Sequence, residues 1–186
     1  MLLMSAAFIF SYQFAIADAP SGWVVGWGNN VTGDAPGIPG GEHSTGLVTV
    51  AGQVLNDVTA ISGGMYHGLA LKSDGTVAGW GFNRYGQATG LNPSHLEGTN
   101  GMVAINGQLL SNIVAISAGW THSLALKSDG TVVAWGESES GQTAVPDGLH
   151  DVIAIAAGCE HSLALKRDGT VIGWGEIKMP IGLSSY

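Results

Sequence analysis

Three histidines recur in step along this chain, and histidine is the side chain most often used for proton transfer and metal binding. His67, His122 and His161 each stand two residues before a Leu-Ala-Leu-Lys run, and a serine directly follows the second and third of them. A histidine beside a serine could act as a general base on a nucleophile, and several imidazoles could bind zinc. Both roles require the side chains to converge, which depends on the elements that carry them.

The histidines belong to a repeated segment that predicts a small antiparallel sheet. GGMYHGLALKSDGTVAGWG at 63–81 recurs as AGWTHSLALKSDGTVVAWG at 118–136 and as GCEHSLALKRDGTVIGWGE at 158–176. The alternating Leu-Ala-Leu-Lys run indicates a strand, the Asp-Gly pair a tight turn and the Thr-Val pair a return strand. Another apolar strand precedes each histidine. The hairpin cores are therefore predicted at 58–81, 113–136 and 152–175.

This arrangement argues against chemistry at the histidines. Neighbouring residues of a strand point to opposite faces, so His122 cannot activate the adjacent Ser123. Each histidine belongs to a separate sheet, and packed sheets lie ~10 Å apart, whereas zinc needs ligand nitrogens at ~2.1 Å from one ion. We instead expect each imidazole to bond to backbone and to tie one strand to the next.

The repeated aspartates also have a structural explanation. Asp74, Asp129 and Asp168 each precede a glycine, a pairing typical of tight turns. Calcium needs six to eight oxygens, and one carboxylate per turn supplies too few. The chain also has no phosphate-binding loop and no G-x-S-x-G motif. The sequence thus predicts no catalytic residue, no metal site and no small-molecule cofactor.

The tryptophans set the period of the repeat and indicate how the sheets pack. Four of the tryptophans stand before a glycine, and each of these is expected to pack between sheets. They are Trp27, Trp80, Trp135 and Trp174. His122 follows His67 by 55 residues and His161 follows His122 by 39, and periods of this size indicate solenoids or propellers. Small sheets that are apolar on both faces favour radial stacking in an all-β propeller.

Two further segments refine this architecture. WVVGWG at 23–28 aligns with TVVAWG at 131–136 and predicts one extra strand before the first repeat. The stretch 48–61 aligns with 103–116, and both contain a predicted hairpin turn, around Ala51-Gly52 and Asn106-Gly107. We expect this insertion to extend the sheet of its repeat.

The pattern GxxHSLALKxDGTVxxWG followed by Gly-Gln resembles the repeat of the regulator of chromosome condensation family, especially its compact bacterial versions. The resemblance covers about residues 22–176 and implies a propeller, which family members usually close with seven blades. Propellers need ~4 to 8 blades, so three repeats leave an open arc. The sequence therefore predicts a partial propeller, either a fragment of a longer one or an arc that self-associates through its open blade edges.

The positions that vary between repeats indicate where a partner could bind. The two residues before each histidine change from copy to copy, and the loops after Trp-Gly change as well. These positions lie on one rim of a propeller, and aromatic residues there are frequent binding anchors. The predicted partner-binding residues are Tyr66, Trp120, Thr121, Glu160, Phe82 and Tyr85.

Composition and the N-terminal sequence limit the possible partners and the cellular location. The net charge is −8 without a basic run, which argues against nucleic acid as a partner. Residues 1–17 carry no charge and end in Ala15-Ile16-Ala17, which predicts a cleaved secretory signal before a mature chain of 18–186. No Lys or Arg precedes Lys72, so a misassigned start codon and a membrane anchor remain alternatives.

These observations favour a non-enzymatic protein-binding module, secreted or on a bacterial cell surface. The resemblance also implies nucleotide exchange on a small GTPase, chromatin binding or, in secreted bacterial members, inhibition of β-lactamases. The acidic charge and the apparent signal oppose the first two roles. The alternative is a domain of a secreted enzyme, or an enzyme inhibitor of the β-lactamase type.

Overall fold

The computed structural model describes residues 22–30, 41–91 and 100–176. The predicted signal at 1–17 lies outside the described residues. Within them the chain forms strands and turns without a helix, so the described part contains no helix that could cross a membrane.

The strands follow one another in short antiparallel meanders. The first eight are β1 Val25–Asn30, β2 Gly41–Leu47, β3 Thr49–Val50, β4 Gln53–Val54, β5 Val58–Gly63, β6 His67–Lys72, β7 Val77–Gly81 and β8 Gly101–Met102. The remaining eight are β9 Ala104–Ile105, β10 Gln108–Leu109, β11 Ile113–Ala118, β12 His122–Lys127, β13 Val132–Gly136, β14 Val152–Ala157, β15 His161–Lys166 and β16 Val171–Gly175.

Three of the sheets are propeller blades. Blade 1 has the strand order β5-β6-β7-β8, blade 2 the order β11-β12-β13 and blade 3 the order β14-β15-β16. The register is the same in all three, with the histidine of the second strand opposite the glycine that follows the tryptophan. The blades form an all-β open arc, as the sequence predicted.

The turn between the second and third strands of each blade is built by its Asp-Gly pair. Asp74 Oδ1 accepts hydrogen bonds from Thr76 N at 2.9 Å and Thr76 Oγ1 at 2.5 Å, and Gly75 has a φ of 77° that favours glycine. The hydroxyl and then the amide of Thr76 hold the pKa of Asp74 below its usual value. Asp129 and Asp168 make the same amide contact with Thr131 and Thr170. These carboxylates therefore shape turns.

The insertion predicted to extend the sheet does not do so. Its strands β9 and β10 pair only with each other, and so do β3 and β4. The turns form as expected, because Asn106 and Gly107 have φ values of 53° and 77°. The hairpin leaves the sheet because Val103 and Leu110 at its base are buried between blades 1 and 2. The strand that does extend the sheet of blade 1 is β8.

Strand β1 occupies the place that β7, the third strand, has in blade 1, in a blade before blade 1. Its neighbour Val24 accepts a hydrogen bond from Val48 N at 2.9 Å, as Val77 in blade 1 accepts one from Val103 N at 2.8 Å. β1 pairs with β2 along its length. We call these two strands the partial blade.

The core lies between blades. Leu69 and Val77 of blade 1 pack in one cluster with Ile116 and Trp135 of blade 2. A second cluster joins the other face of blade 2 to blade 3 through residues that include Leu124, Leu126, Ile155 and Trp174. Blade 2 is thus covered on both faces. No described residue covers the far face of blade 3, where Val171 is 61% exposed and its equivalent Val77 in blade 1 is 0% exposed.

Two equivalent leucines should differ in their contribution to stability. Leu124 is fully buried between blades, so Leu124→Ala should lower the free energy of unfolding by about 2 to 5 kcal/mol. Leu163 holds the same position on the half-buried face of blade 3, so Leu163→Ala should cost about 1 kcal/mol or less. Urea denaturation measures both. Equal losses would contradict this difference in burial.

Candidate functional site

Each buried histidine bonds to a serine on the next blade. The Nε2 atom of His67 lies 2.8 Å from Ser123 Oγ, and Nε2 of His122 lies 3.0 Å from Ser162 Oγ. The expectation of a backbone partner for the imidazole was therefore wrong. The serine that follows a histidine in sequence bonds to the histidine of the preceding blade, because the strand directs adjacent side chains to opposite faces.

The serine hydroxyl donates its own hydrogen bond to a backbone carbonyl. Ser123 Oγ donates to the carbonyl of Gln87 at 2.9 Å, and Trp135 Nε1 donates to the same carbonyl at 2.9 Å. The next junction repeats this with Ser162 and Trp174 on the carbonyl of Gln142, at 2.8 and 2.9 Å. Since a hydroxyl has one proton, the serine accepts from the Nε2–H of the imidazole. A serine activated as a nucleophile would donate to the imidazole, so these pairs are structural.

The histidines of the two closed junctions are held neutral. Burial first, and then the neighbouring His122, lower the pKa of His67 to about 3. Burial also lowers the pKa of His122 to about 4, with His161 as the second cause. The Nδ1 atoms of both rings are buried without a hydrogen-bond partner. A second proton on either ring would therefore place an unsatisfied charge between two blades.

Two glutamines complete these junctions. Gln87 is fully buried, and its Oε1 atom accepts a hydrogen bond from Tyr85 N at 3.0 Å. Gln142 does the same for Ser140 N at 3.0 Å. Sequence reasoning recorded the Gly-Gln pair only as part of the resemblance and did not assign it a role. The signal was available, because each glutamine follows the glycine of its Trp-Gly pair by six residues.

Trp135 and Trp174 lie at these two junctions, and Trp80 packs on the other face of blade 1 in a cluster that includes Val24 and Val48. Trp80, Trp135 and Trp174 are buried, and Trp27 lies in β1, where its side chain is outside the described part. No group of three or more His, Cys, Asp or Glu side chains that could hold a metal occurs within the described ranges.

The variable residues before each histidine lie beside the loop that follows the tryptophan. In each blade a backbone N–H of that loop bonds to the residue before the histidine, and the pairs are Phe82 N to Tyr66 O at 2.7 Å, Glu137 N to Thr121 O at 2.9 Å and Glu176 N to Glu160 O at 2.8 Å. The hydroxyl of Thr121 also donates to Glu137. The structure thus places the two variable segments of a blade on one edge.

Blade 1 carries an aromatic cluster on this edge. The rings of Tyr66 and Phe82 meet edge to face with centroids 6.0 Å apart, and those of Phe82 and Tyr85 do so at 6.3 Å. The Arg84 guanidinium carbon lies 5.9 Å from the Tyr85 ring centroid.

The edges of neighbouring blades form one continuous row. Met65 N donates to the carbonyl of Gly119 at 3.2 Å, and Trp120 N donates to the carbonyl of Gly158 at 3.3 Å. These bonds bring the exposed side chains of Met65 and Trp120 onto neighbouring blades of the same row. Glu160 follows on blade 3 and is half-buried. We call Met65, Tyr66, Phe82, Arg84, Tyr85 and Trp120 the aromatic rim.

The neutral histidines should make stability depend on pH. Between pH 6.5 and about 4 the unfolded chain binds protons that the folded chain excludes, so stability falls as the pH decreases. The two histidines together should remove about 4 kcal/mol between pH 7 and pH 5, because each pKa unit is worth about 1.4 kcal/mol. Urea titrations at a series of pH values measure this slope. His67→Gln should halve it, and Trp120→Ala should leave it unchanged. A flat profile would contradict neutral, buried imidazoles.

The repeat matches a known family model. The model of the regulator of chromosome condensation (RCC1) repeat matches residues 58–87, 113–142 and 152–176. These ranges coincide with the three blades and include both junction glutamines.

Individual proteins share the repeat. The chain is 36% identical over 89 residues to the ultraviolet-B receptor UVR8 of Arabidopsis thaliana, covering 47% of this chain and 19% of the receptor. It is 30% identical over 155 residues to protein pim1 of Schizosaccharomyces pombe, covering 75% of this chain and 28% of pim1. This chain therefore spans less than a third of each of these relatives.

A solved structure shows the same fold. The crystal structure of human WBSCR16 matches with a TM-score of 0.56 and 23% identity, covering 79% of this chain and 41% of that one. The three matched repeats, their buried junctions and this fold agree on one assignment: the chain belongs to the regulator of chromosome condensation repeat family.

Proposed function

We propose that this chain is a non-enzymatic protein-binding module and that the aromatic rim contacts the partner. The observation that carries the proposal is the row of exposed Met65, Tyr66 and Trp120 side chains on adjoining blades. Aromatic residues and arginine are the side chains that dominate binding energy at protein interfaces. Here they stand together on a scaffold whose other repeated residues are occupied in packing.

The rim is held rigid from below, which favours recognition. Asn83 is fully buried and bonds to Ala88 N at 2.7 Å, Thr89 N at 3.1 Å and Thr89 Oγ1 at 2.8 Å. Gln87 bonds to the amide of Tyr85 from the same loop. A loop fixed before binding loses little conformational entropy when the partner docks. The aromatic side chains therefore need little rearrangement.

The predicted partner-binding residues divide into two groups. Tyr66, Phe82, Tyr85 and Trp120 present ring surface. Thr121 and Glu160 stand on the same edge and supply hydrogen-bonding groups at its border. An apolar, aromatic centre with a polar border is the usual anatomy of a protein interface.

A secreted or cell-surface location, in a bacterium, completes the proposal. It rests on the uncharged residues 1–17 and their Ala15-Ile16-Ala17 end. A secreted enzyme is one class of protein that the rim could bind. The chain would then be an enzyme inhibitor similar to a β-lactamase inhibitor.

Two tryptophan substitutions, made separately, test the proposal. Trp120→Ala should weaken partner binding at least tenfold, because it removes an exposed ring from the centre of the rim. Trp23→Ala removes an exposed tryptophan that stands two residues before β1, outside the aromatic rim. It should leave binding unchanged. The partner is captured from the extracellular fraction with the immobilised chain, purified, and titrated against each variant by calorimetry.

The outcomes separate the candidate functions. Equal affinities for Trp120→Ala and the unaltered chain would contradict binding through the rim. Hydrolysis of a glycan panel by the purified chain, with no protein captured, would favour a domain of a secreted enzyme instead.

A further inference from the structure

The edge that carries the aromatic rim changes in charge from blade 1 to blade 2. On blade 1 the side chain of Arg84 is exposed, and its guanidinium carbon lies 5.9 Å from the centroid of the Tyr85 ring. Blade 2 has Glu137 and Glu139 at the places that Phe82 and Arg84 hold on blade 1. The same loop position therefore carries a cation on one blade and a carboxylate on the next.

The carboxylates of blade 2 belong to the same part of the edge as the rim tryptophan. Trp120 is 46% exposed, and the hydroxyl of Thr121, the next residue, donates to Glu137. This hydrogen bond fixes the position of the carboxylate and keeps its charge, because a hydroxyl is neutral. Glu139 is exposed two residues further along the same loop. A partner that covers Trp120 therefore also meets negative charge.

The acidic character continues onto blade 3. Trp120 N donates to the carbonyl of Gly158 at 3.3 Å, which joins the edge of blade 3 to that of blade 2. Glu160 stands two residues after Gly158, and its carbonyl accepts a hydrogen bond from Glu176 N at 2.8 Å. We call these four glutamates, Glu137, Glu139, Glu160 and Glu176, the acidic border.

The cations of blades 2 and 3 stand at the other end of the strands. The second strand of each blade begins at its histidine and ends at a lysine, so Lys127 and Lys166 mark the edge opposite the acidic border. Arg167 follows in the turn, where Lys166 Nζ lies 3.7 Å from Asp168 Oδ2. Each of these strands has six residues, so the two edges lie about 16 Å apart, whereas salt screens charges beyond ~8 Å. Among the described residues of these two blades, no Lys or Arg stands at the acidic border.

We propose that the partner of the aromatic rim is a basic protein surface. Its apolar side chains cover Met65, Tyr66 and Trp120, and its lysines or arginines lie against the acidic border. This inference rests on the proposed function and names the class of partner. Charge complementarity decides the class, because opposite charges speed association and like charges across an interface suppress the wrong partners. Arg84 on blade 1 disfavours a surface that is basic throughout, so the cations of the partner belong on the Trp120 side.

Peptides from a random library displayed on phage and selected on the immobilised chain serve as the probe. We expect the enriched sequences to combine aromatic or aliphatic residues with lysine or arginine on one side of them. An enriched peptide is then synthesised with a fluorescent label and titrated with the chain by fluorescence anisotropy. The double substitution Glu137→Gln and Glu139→Gln should weaken its binding at least fivefold. Added salt should weaken binding to the unaltered chain more than binding to this variant.

Control variants separate charge from folding. A glutamine amide at position 137 keeps an oxygen that can accept the Thr121 hydroxyl, so the urea midpoint of the double variant should be unchanged. Asp147→Asn removes an exposed carboxylate from the connection between blades 2 and 3, outside the acidic border, and should leave peptide binding unchanged. A peptide whose basic residues are replaced by glutamate should bind the unaltered chain more weakly and the Glu139→Lys variant more tightly.

The outcomes distinguish this inference from the proposed function. Enriched peptides that depend on Trp120 but contain no basic residues, or that bind the double variant as tightly as the unaltered chain, would overturn the inference and leave the rim as the binding surface. Enriched peptides whose affinity is unchanged by Trp120→Ala would contradict both. Absence of any enriched peptide would overturn the inference as well, whereas the rim is judged by the captured protein and its own Trp120→Ala titration.

Discussion

The structure depends on one backbone carbonyl per junction, shared by two donors from the next blade. At the first junction Ser123 Oγ and Trp135 Nε1 both donate to Gln87 O, and the serine in turn accepts from His67 Nε2. At this junction the serine hydroxyl, the indole N–H and the imidazole N–H each find an acceptor, which stabilises a buried polar network. The histidine must therefore stay neutral, the tryptophan must lie between the sheets, and the glutamine loop must return to the junction. These requirements account for most of the residues that recur.

This network separates the scaffold from the surface that varies. Its members are buried, and each makes contacts that the next blade needs. The rim is joined to the scaffold through backbone groups, which include Tyr66 O, Thr121 O and Trp120 N. Backbone bonds place no demand on the side chain, so Tyr66, Thr121 and Glu160 can hold the same place in the three blades. A repeat can thus keep one architecture and present a different surface on each blade.

Much of the fold was predictable because its signals are local. The alternation of Leu and Ala along β12, the Asp-Gly turn at Asp129 and the position of Trp135 each follow from a few adjacent residues. The predictions that were wrong concern distant partners. The histidine was expected to bond to backbone and bonds to serine. The insertion was expected to extend its sheet and forms a separate hairpin, because Val103 and Leu110 turn into the core between blades.

The sequence by itself determined the blades: their strands, turns, tryptophan positions and number follow from the repeated pattern. Only the tertiary structure decided what each side chain meets. Ile61 and Ile116 hold the same place in the pattern, yet one is exposed and the other buried. His67 and His161 also hold the same place in the pattern. Of these two, only His67 has a described serine partner on a following blade. The reason is physical: hydrogen bonding within a strand pair follows the local pattern, whereas burial and side-chain partners depend on the adjacent blade.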